Sequence, residues 1–292
     1  MSAARTLLGG IVDYAGLFPP ASLSMSDAVA NFAAYAASED AWMLGRFVVP
    51  VGRLDEFAAA GALHAASGAA RWRMSALLGD TVAEDVAHVH AFVRAHHAWA
   101  SVDTLEGKAT TGADVDRLAA AAVPAFDLYI EIPIVGDPAP LIAQIGRRGA
   151  NAKVRTGGIT PAAIPDAGQL VRFMDACITA NVPFKATAGL HHPVRGDFAL
   201  TYAADAPHAF TYGYLNVFLA AALLRAGGSV QEASTLLTET DAGEISLVGD
   251  AVQWRDFRFT AAQLSAMRGA ATSFGSCSFR EPVDDLVSLG LT

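Results

Sequence analysis

Asp127-Leu128-Tyr129-Ile130-Glu131-Ile132, then Ala152-Lys153-Val154-Arg155-Thr156, then Phe184-Lys185-Ala186-Thr187: three short apolar runs, each interrupted by charge, succeed one another through the middle of the chain. Amphipathic stretches at 139–147 and 169–180 separate them, and proline or glycine marks the junctions. Short runs rich in β-branched and aromatic residues read as strands, and the longer amphipathic stretches as helices. A strand, a helix and a further strand in this order imply a parallel sheet with right-handed crossovers.

The same unit extends outward in both directions. Upstream, strands are expected at 10–14, 46–50, 73–78 and 100–105, with helices from about Asp27, at 54–60, 82–96 and 112–122; Ser24 with Asp27 resembles a capping box. Downstream, Ser273-Phe274-Gly275 ends an eighth strand before a helix that opens near Glu281-Pro282. Eight such units close most simply into a (β/α)8 TIM barrel, an α/β fold of roughly 250 residues, so 1–292 is read as a single barrel domain. A doubly wound open sheet is the rival. It would bring a glycine-rich first turn, and Asp13-Tyr14-Ala15-Gly16 is no dinucleotide fingerprint.

Two segments exceed the plain barrel. Residues 193–212 form a long loop between the seventh strand and its helix, on the face where lids are built, and Arg195, Tyr202, His208 and Tyr212 are expected to reach a ligand. Within the insertion 229–260, two apolar runs flank Gly249-Asp250 and read as a hairpin before the last strand. It falls on the opposite side of the barrel, as packing or as a contact between copies in a homo-oligomer.

Composition narrows the partners. A formal net charge of -9 without a Lys/Arg-rich run argues against a nucleic-acid surface, so the expected partner is a small-molecule substrate. No apolar run reaches the ~18 residues that cross a membrane, and the first ten residues lack the build of a secretory signal, so the expectation is cytoplasmic. The two cysteines, Cys177 and Cys277, have no metal-ligand spacing and make no disulfide framework.

The barrel hypothesis sorts the polar residues. Asp13, Asp103, Glu106, Glu131, Lys153, Arg155, Lys185, His191, His192 and Ser276 all map to strand ends on the catalytic face. Lys153 and Arg155, two apart, share one side of their strand, while Val154 turns to the helix layer. Lys185 lies near the same level on the next strand. A buried lysine must be paired or neutral, and the cationic company of Arg155 and Lys185 would favour the neutral amine of Lys153, a nucleophile suited to Schiff-base formation. The plainer reading is a salt network of both lysines with Glu131 and Asp103. Gly157, Gly158, Gly189 and Gly275 offer backbone N–H groups to an anion or serve only as turn punctuation.

These segments resemble the deoxyribose-phosphate aldolase family. Lys153-Val154-Arg155-Thr156-Gly157 is similar to its Lys-x-x-Thr-Gly, Lys185-Ala186-Thr187-Ala188-Gly189 to its strand-seven lysine segment, and Phe274-Gly275-Ser276-Cys277-Ser278 to its final phosphate-binding turn. The resemblance implies a class I aldolase in which Lys153 forms the Schiff base, Lys185 is the cation that activates it, and Asp103 relays protons. Gly158 stands where that family has a further lysine, Arg155 where it has a small residue, and Ala188 where it has a glycine. An unphosphorylated aldehyde or keto acid is therefore as good a substrate as a sugar phosphate.

The leading expectation is a lyase with Lys153, Lys185, Asp103 and Glu131 as catalytic residues and Asp13, Arg155, Gly157, Gly158, Gly189, His191, Gly275 and Ser276 around the substrate, with no cofactor or metal. Its alternatives are a metal-dependent isomerase or lyase using Glu131, Glu106 and His191, and a non-catalytic barrel that binds a small acid. Cys277 reads as packing, for want of a base nearby in sequence.

Overall fold

Eight parallel strands, β1 (Val12–Tyr14), β2 (Leu44–Pro50), β3 (Trp72–Leu77), β4 (Ala100–Lys108), β5 (Asp127–Glu131), β6 (Asn151–Arg155), β7 (Phe184–Thr187) and β13 (Ala271–Ser276), close into a barrel in which β13 pairs with both β7 and β1. The computed structural model describes residues 2–67, 70–247 and 249–291. Five further strands lie outside the barrel: β8 (Gly196–Ala199), β9 (His208–Thr211), β10 (Ile245–Ser246), β11 (Ala251–Trp254) and β12 (Phe257–Thr260).

The helices are α1 (Ala3–Leu8), α2 (Met25–Ala36), α3 (Leu54–Ala60), α4 (Ala62–Ser67), α5 (Val82–His96), α6 (Gly112–Ala122), α7 (Ala139–Arg147), α8 (Ala167–Thr179), α9 (Tyr214–Arg225), α10 (Val230–Leu237), α11 (Ala261–Ala270) and α12 (Arg280–Ser288). Their starts are chemically marked. Ser24 accepts from the Asp27 N–H, so α2 begins at Met25, and Thr111 with Asp114 and Asp166 with Gln169 form full capping boxes for α6 and α8. Among the described helices, none is long and apolar enough to cross a membrane.

α8 buries Leu170, Val171, Phe173, Met174 and Cys177, one stripe at helical spacing. α9 differs, because every residue from Tyr214 to Leu224 is buried. It packs against α8, α10 and α11 as well as β13, so no polar face is left to it. The insertion thus covers α9. Its sheet, in the order β10-β11-β12, touches α1 through β11, which places it at the N-terminal end of the barrel. Val252 and Trp254 are buried there, in keeping with a packing role. The hairpin is as expected in outline, extended by a third strand; Val248, in the first of its two expected runs, lies outside the described residues.

The long loop after β7 carries the antiparallel hairpin β8–β9 over the C-terminal mouth. Gly213, which opens α9, is where it returns. A methyl group there would meet the Pro193 carbonyl oxygen at 2.3 Å and the Val194 Cα at 2.4 Å, both backbone atoms. Gly213→Ala is expected to destabilise the protein by about 1–3 kcal/mol, the usual cost of forcing extra atoms into packed structure, in denaturant unfolding. Gly136→Ala supplies the contrast of an open position whose positive φ alone resists a side chain.

Candidate active site

Burying two lysines inside the barrel forces the remaining charges into order. Lys153 and Lys185 are register partners on β6 and β7, and both side chains turn to the interior. The Lys185 Nζ donates to Asp13 Oδ2 and to Glu106 Oε1, each at 2.6 Å. The Lys153 Nζ lies 2.6 Å from Glu106 Oε2 and 3.0 Å from Glu131 Oε2. Arg155, half-exposed, donates to Glu131 Oε1 at 3.3 Å. The result is an alternating file of charges: Asp13, Lys185, Glu106, Lys153, Glu131, Arg155. The expected cluster of cations is thus separated by carboxylates at every step.

Other donors fill the remaining lone pairs. Ser273 donates to Asp13 Oδ2 at 2.8 Å, the Arg46 N–H to Asp13 Oδ1 at 2.8 Å, and Ser75 to Glu106 Oε1 at 2.6 Å. Burial disfavours the Glu106 carboxylate, but the ammonium groups of Lys153 and Lys185 outweigh it and hold its pKa well below the ordinary range. Burial likewise works against the Lys185 ammonium, yet Asp13 and Glu106 raise its pKa. Glu131 is also lowered, against burial, by Lys153 and Arg155. Its Oε2 is buried and makes no aligned hydrogen bond, the Lys153 ammonium standing at ion-pair distance only.

A cavity of about 380 Å³ opens above this file at the C-terminal strand ends. Glu106, Glu131, Lys153 and Lys185 line its charged end. Phe18, Pro19 and Pro20 from the loop after β1, with Val48, Leu77 and Ile159, give it an apolar wall, and residues 198–202 of the hairpin lie over it. Tyr202 is the expected loop residue that reaches the cavity. Arg195 instead packs over Phe210, Tyr212 donates to the Pro165 carbonyl at 2.8 Å, and His208 pairs with Asp197.

Of the expected site residues, Arg155, Gly158, Gly189, His191 and Gly275 also border the cavity. Asp13 stands behind Lys185 and does not reach it. Asp103 is a correction. It lies between the levels of Met74 and Ser75, below the strand's end, and binds Arg46 at 2.6 Å and Arg73 at 2.7 Å, whereas Glu106 opposes Leu77 at that end. The cause is a bulge: Met74 opposes Val102 but Ser75 opposes Thr104, leaving Asp103 as the extra residue. Arg73 and Ser75 share a face of β3, so their partners Asp103 and Glu106, three apart, share that face too. β4 also runs on to Lys108, which moves its functional end beyond the expected 105.

Ser276 is a second correction. Its Oγ accepts from the Ser278 N–H at 3.3 Å, its carbonyl from the Ala15 N–H at 2.7 Å, and it does not line the cavity. Nor does Gly157, whose added methyl would lie 2.9 Å from the Gly189 Cα; this glycine allows two loops to touch. Both His191 and His192 border the cavity, where only one of the adjacent pair was expected. Of the metal ligands considered, Glu106 and Glu131 face Lys153, and His191 faces Glu281. Among the described residues no three His, Cys, Asp or Glu side chains converge as a metal would require.

Removing Glu106's charge leaves two buried ammonium groups sharing less carboxylate. Glu106→Gln is therefore expected to cost about 3–5 kcal/mol in denaturant unfolding. The pH dependence follows from the signs. Carboxyls with folded pKa values below the unfolded ~4.3 contribute above that value and lose the contribution as pH falls through the folded one; Lys185, raised above ~10.4, contributes below that value and loses it as pH rises through its folded pKa. These charges should therefore add little slope of their own to the thermal midpoint between about pH 5 and 10, and the alkaline edge should move to lower pH in Glu106→Gln.

No family model, curated protein or solved structure matches the chain.

Proposed function

We propose that the protein is a Schiff-base lyase of the aldolase class, acting on a small aldehyde or keto acid through Lys153. The observation that carries this reading is the position of Lys153, which borders the cavity and stands within 3.0 Å of two carboxylates, one of them shared with buried Lys185. The likeness of the lysine segments to the deoxyribose-phosphate aldolase family supports it independently.

Each group then has a distinct task. Proton transfer from the Lys153 ammonium to Glu131 frees the amine, which attacks the substrate carbonyl carbon. Glu131 returns that proton to the departing hydroxyl as the carbinolamine loses water. Glu131, a carboxylate again, takes the proton of the β-hydroxyl as the carbon–carbon bond breaks and its electron pair moves to the iminium, giving an enamine and a free aldehyde. Glu106, held anionic by its two ammonium partners, stabilises the cationic iminium that replaces the Lys153 charge. Lys185 keeps Glu106 in place and stays charged. Thus Glu131 relays the proton, the role that the resemblance gave to Asp103, and Glu106 is the carboxylate that β4 contributes. The apolar wall of Phe18, Val48 and Leu77 suits a carbon chain better than a phosphate.

Incubation with propionaldehyde or pyruvate and sodium borohydride should add the reduced ligand's mass to the peptide that bears Lys153. Lys153→Arg retains the charge without a comparable nucleophile and should abolish trapping. Adducts on other lysines alone, or none with either carbonyl compound, would overturn the assignment.

A further inference from the structure

A second group of reactive side chains stands at the mouth of the same cavity, supplied by three separate segments. His191 follows β7, Cys277 follows β13, and Glu281 lies in the first turn of α12. The His191 Nδ1 is 2.7 Å from Glu281 Oε2, and its Nε2 faces the Cys277 sulfur at 4.0 Å. A carboxylate can only accept, so Nδ1 carries the proton and Nε2 is directed, as the basic nitrogen, at the thiol. Nucleophile, base and orienting carboxylate therefore stand in the order that activates a cysteine. The Tyr202 hydroxyl, from the hairpin overhead, lies 3.7 Å from the same sulfur.

The surrounding groups favour charge separation. Burial lowers the His191 pKa, but Cys277 and Glu281 more than offset this, and the imidazole is pushed up to about 9. Tyr202 is raised by burial and by Cys277 and Glu281, so its phenol keeps a proton to donate to sulfur. His192 turns away to Asp285 at 2.5 Å and stacks on Phe198, and Tyr14, raised to about 12 by burial, is neutral. Cys277, His191 and Glu281 all border the cavity that Lys153 borders. Cys177 provides the contrast: it is buried in α8, and burial alone raises its pKa.

We propose that Cys277, His191 and Glu281 form a second nucleophilic site, at which the Cys277 sulfur adds reversibly to the carbon of an aldehyde. The choice of electrophile rests on the lyase reading, because cleavage of an imine-bound β-hydroxy carbonyl compound releases an aldehyde into this cavity. In the addition, a sulfur–carbon bond forms as the carbonyl π pair moves to oxygen. The thiol proton, held on His191 Nε2, passes to that oxygen. The reverse step returns it, and nothing is oxidised or reduced. The thiohemiacetal would hold the second product while the first remains on Lys153.

The test separates the two sites. Iodoacetamide labelling followed by peptide mapping should alkylate Cys277 at least tenfold faster than Cys177 at pH 6.5. His191→Gln should slow it at least tenfold at pH 6.5. So should Glu281→Gln, which preserves the shape of the ring's partner and keeps the test valid if the histidine variant misfolds. Carbon-13-labelled propionaldehyde should protect Cys277 and give a thiohemiacetal resonance, in Lys153→Met as in the parent. Protection that disappears in Lys153→Met would assign it to the imine and overturn the thiol adduct. Cys277 labelling no faster than Cys177, or unchanged in both variants, would overturn the site itself. Failure of borohydride trapping with an intact Cys277 adduct would instead remove the lyase reading and leave the thiol site standing.

Discussion

Two ammonium groups inside a closed barrel are the constraint on which the interior of this protein depends. Each loses its water, and the loss is tolerable only if carboxylates and further hydrogen bonds replace it. Asp13, Glu106 and Glu131 do so from three different strands, and Ser75, Ser273 and a backbone N–H fill the remaining positions. Neighbouring residues conform to this arrangement. At Gly45 a side chain would lie 2.5 Å from Asp13 Oδ1, so a residue on β2 must be small for the β1 carboxylate to reach Lys185. The β4 bulge has the same character, since it brings Glu106 to the interior although Asp103 already faces it.

The eight-fold repetition was legible because strands and helices differ in period, and the pairing of Lys153 with Lys185 because neighbouring parallel strands ran at one level. The identity of the carboxylate that β4 brings to the lysines was not. Asp103 and Glu106 both lie on β4, and only the one-residue slip against β3 decides which end each occupies. Nothing local in Val102-Asp103-Thr104 announces a bulge. The glycines were ambiguous for a related reason: Gly157 is required by the backbone of Gly189, a contact between segments more than thirty residues apart.

The cysteine site was still less accessible to sequence reading. His191, Cys277 and Glu281 come from two loops and a helix, and their order in the chain gives no spacing to recognise. The nearest signal was Cys277 just ahead of a helix, which identifies a position but not a base. His191 was drawn toward a metal reading because the barrel hypothesis set Glu131 and Glu106 on the same face. The partner it takes, Glu281, belongs to the helix after the last strand, where the closing of the barrel brings the end of the chain beside the loop after β7.

That closure also explains why the two sets of charges can occupy one cavity without cancelling each other. The deep file is anchored on strands and neutralised pairwise, so its field is largely consumed within itself. The outer group is held by loop and helix, with Glu281 turned to His191 and Asp285 to His192. On the proposed reading, an amine loses its proton to Glu131 at one depth while imidazole keeps its proton at the other, because Glu131 faces Lys153 and Glu281 faces His191. A carbonyl compound lying against the apolar wall between them would meet nitrogen at one end and sulfur at the other. The hairpin β8–β9, by bringing Tyr202 onto that sulfur and residues 198–202 over the cavity, ties the outer group to the lid. Access to the cavity and the environment of the thiol are therefore governed by one segment, whereas the lysines beneath it depend on the barrel alone.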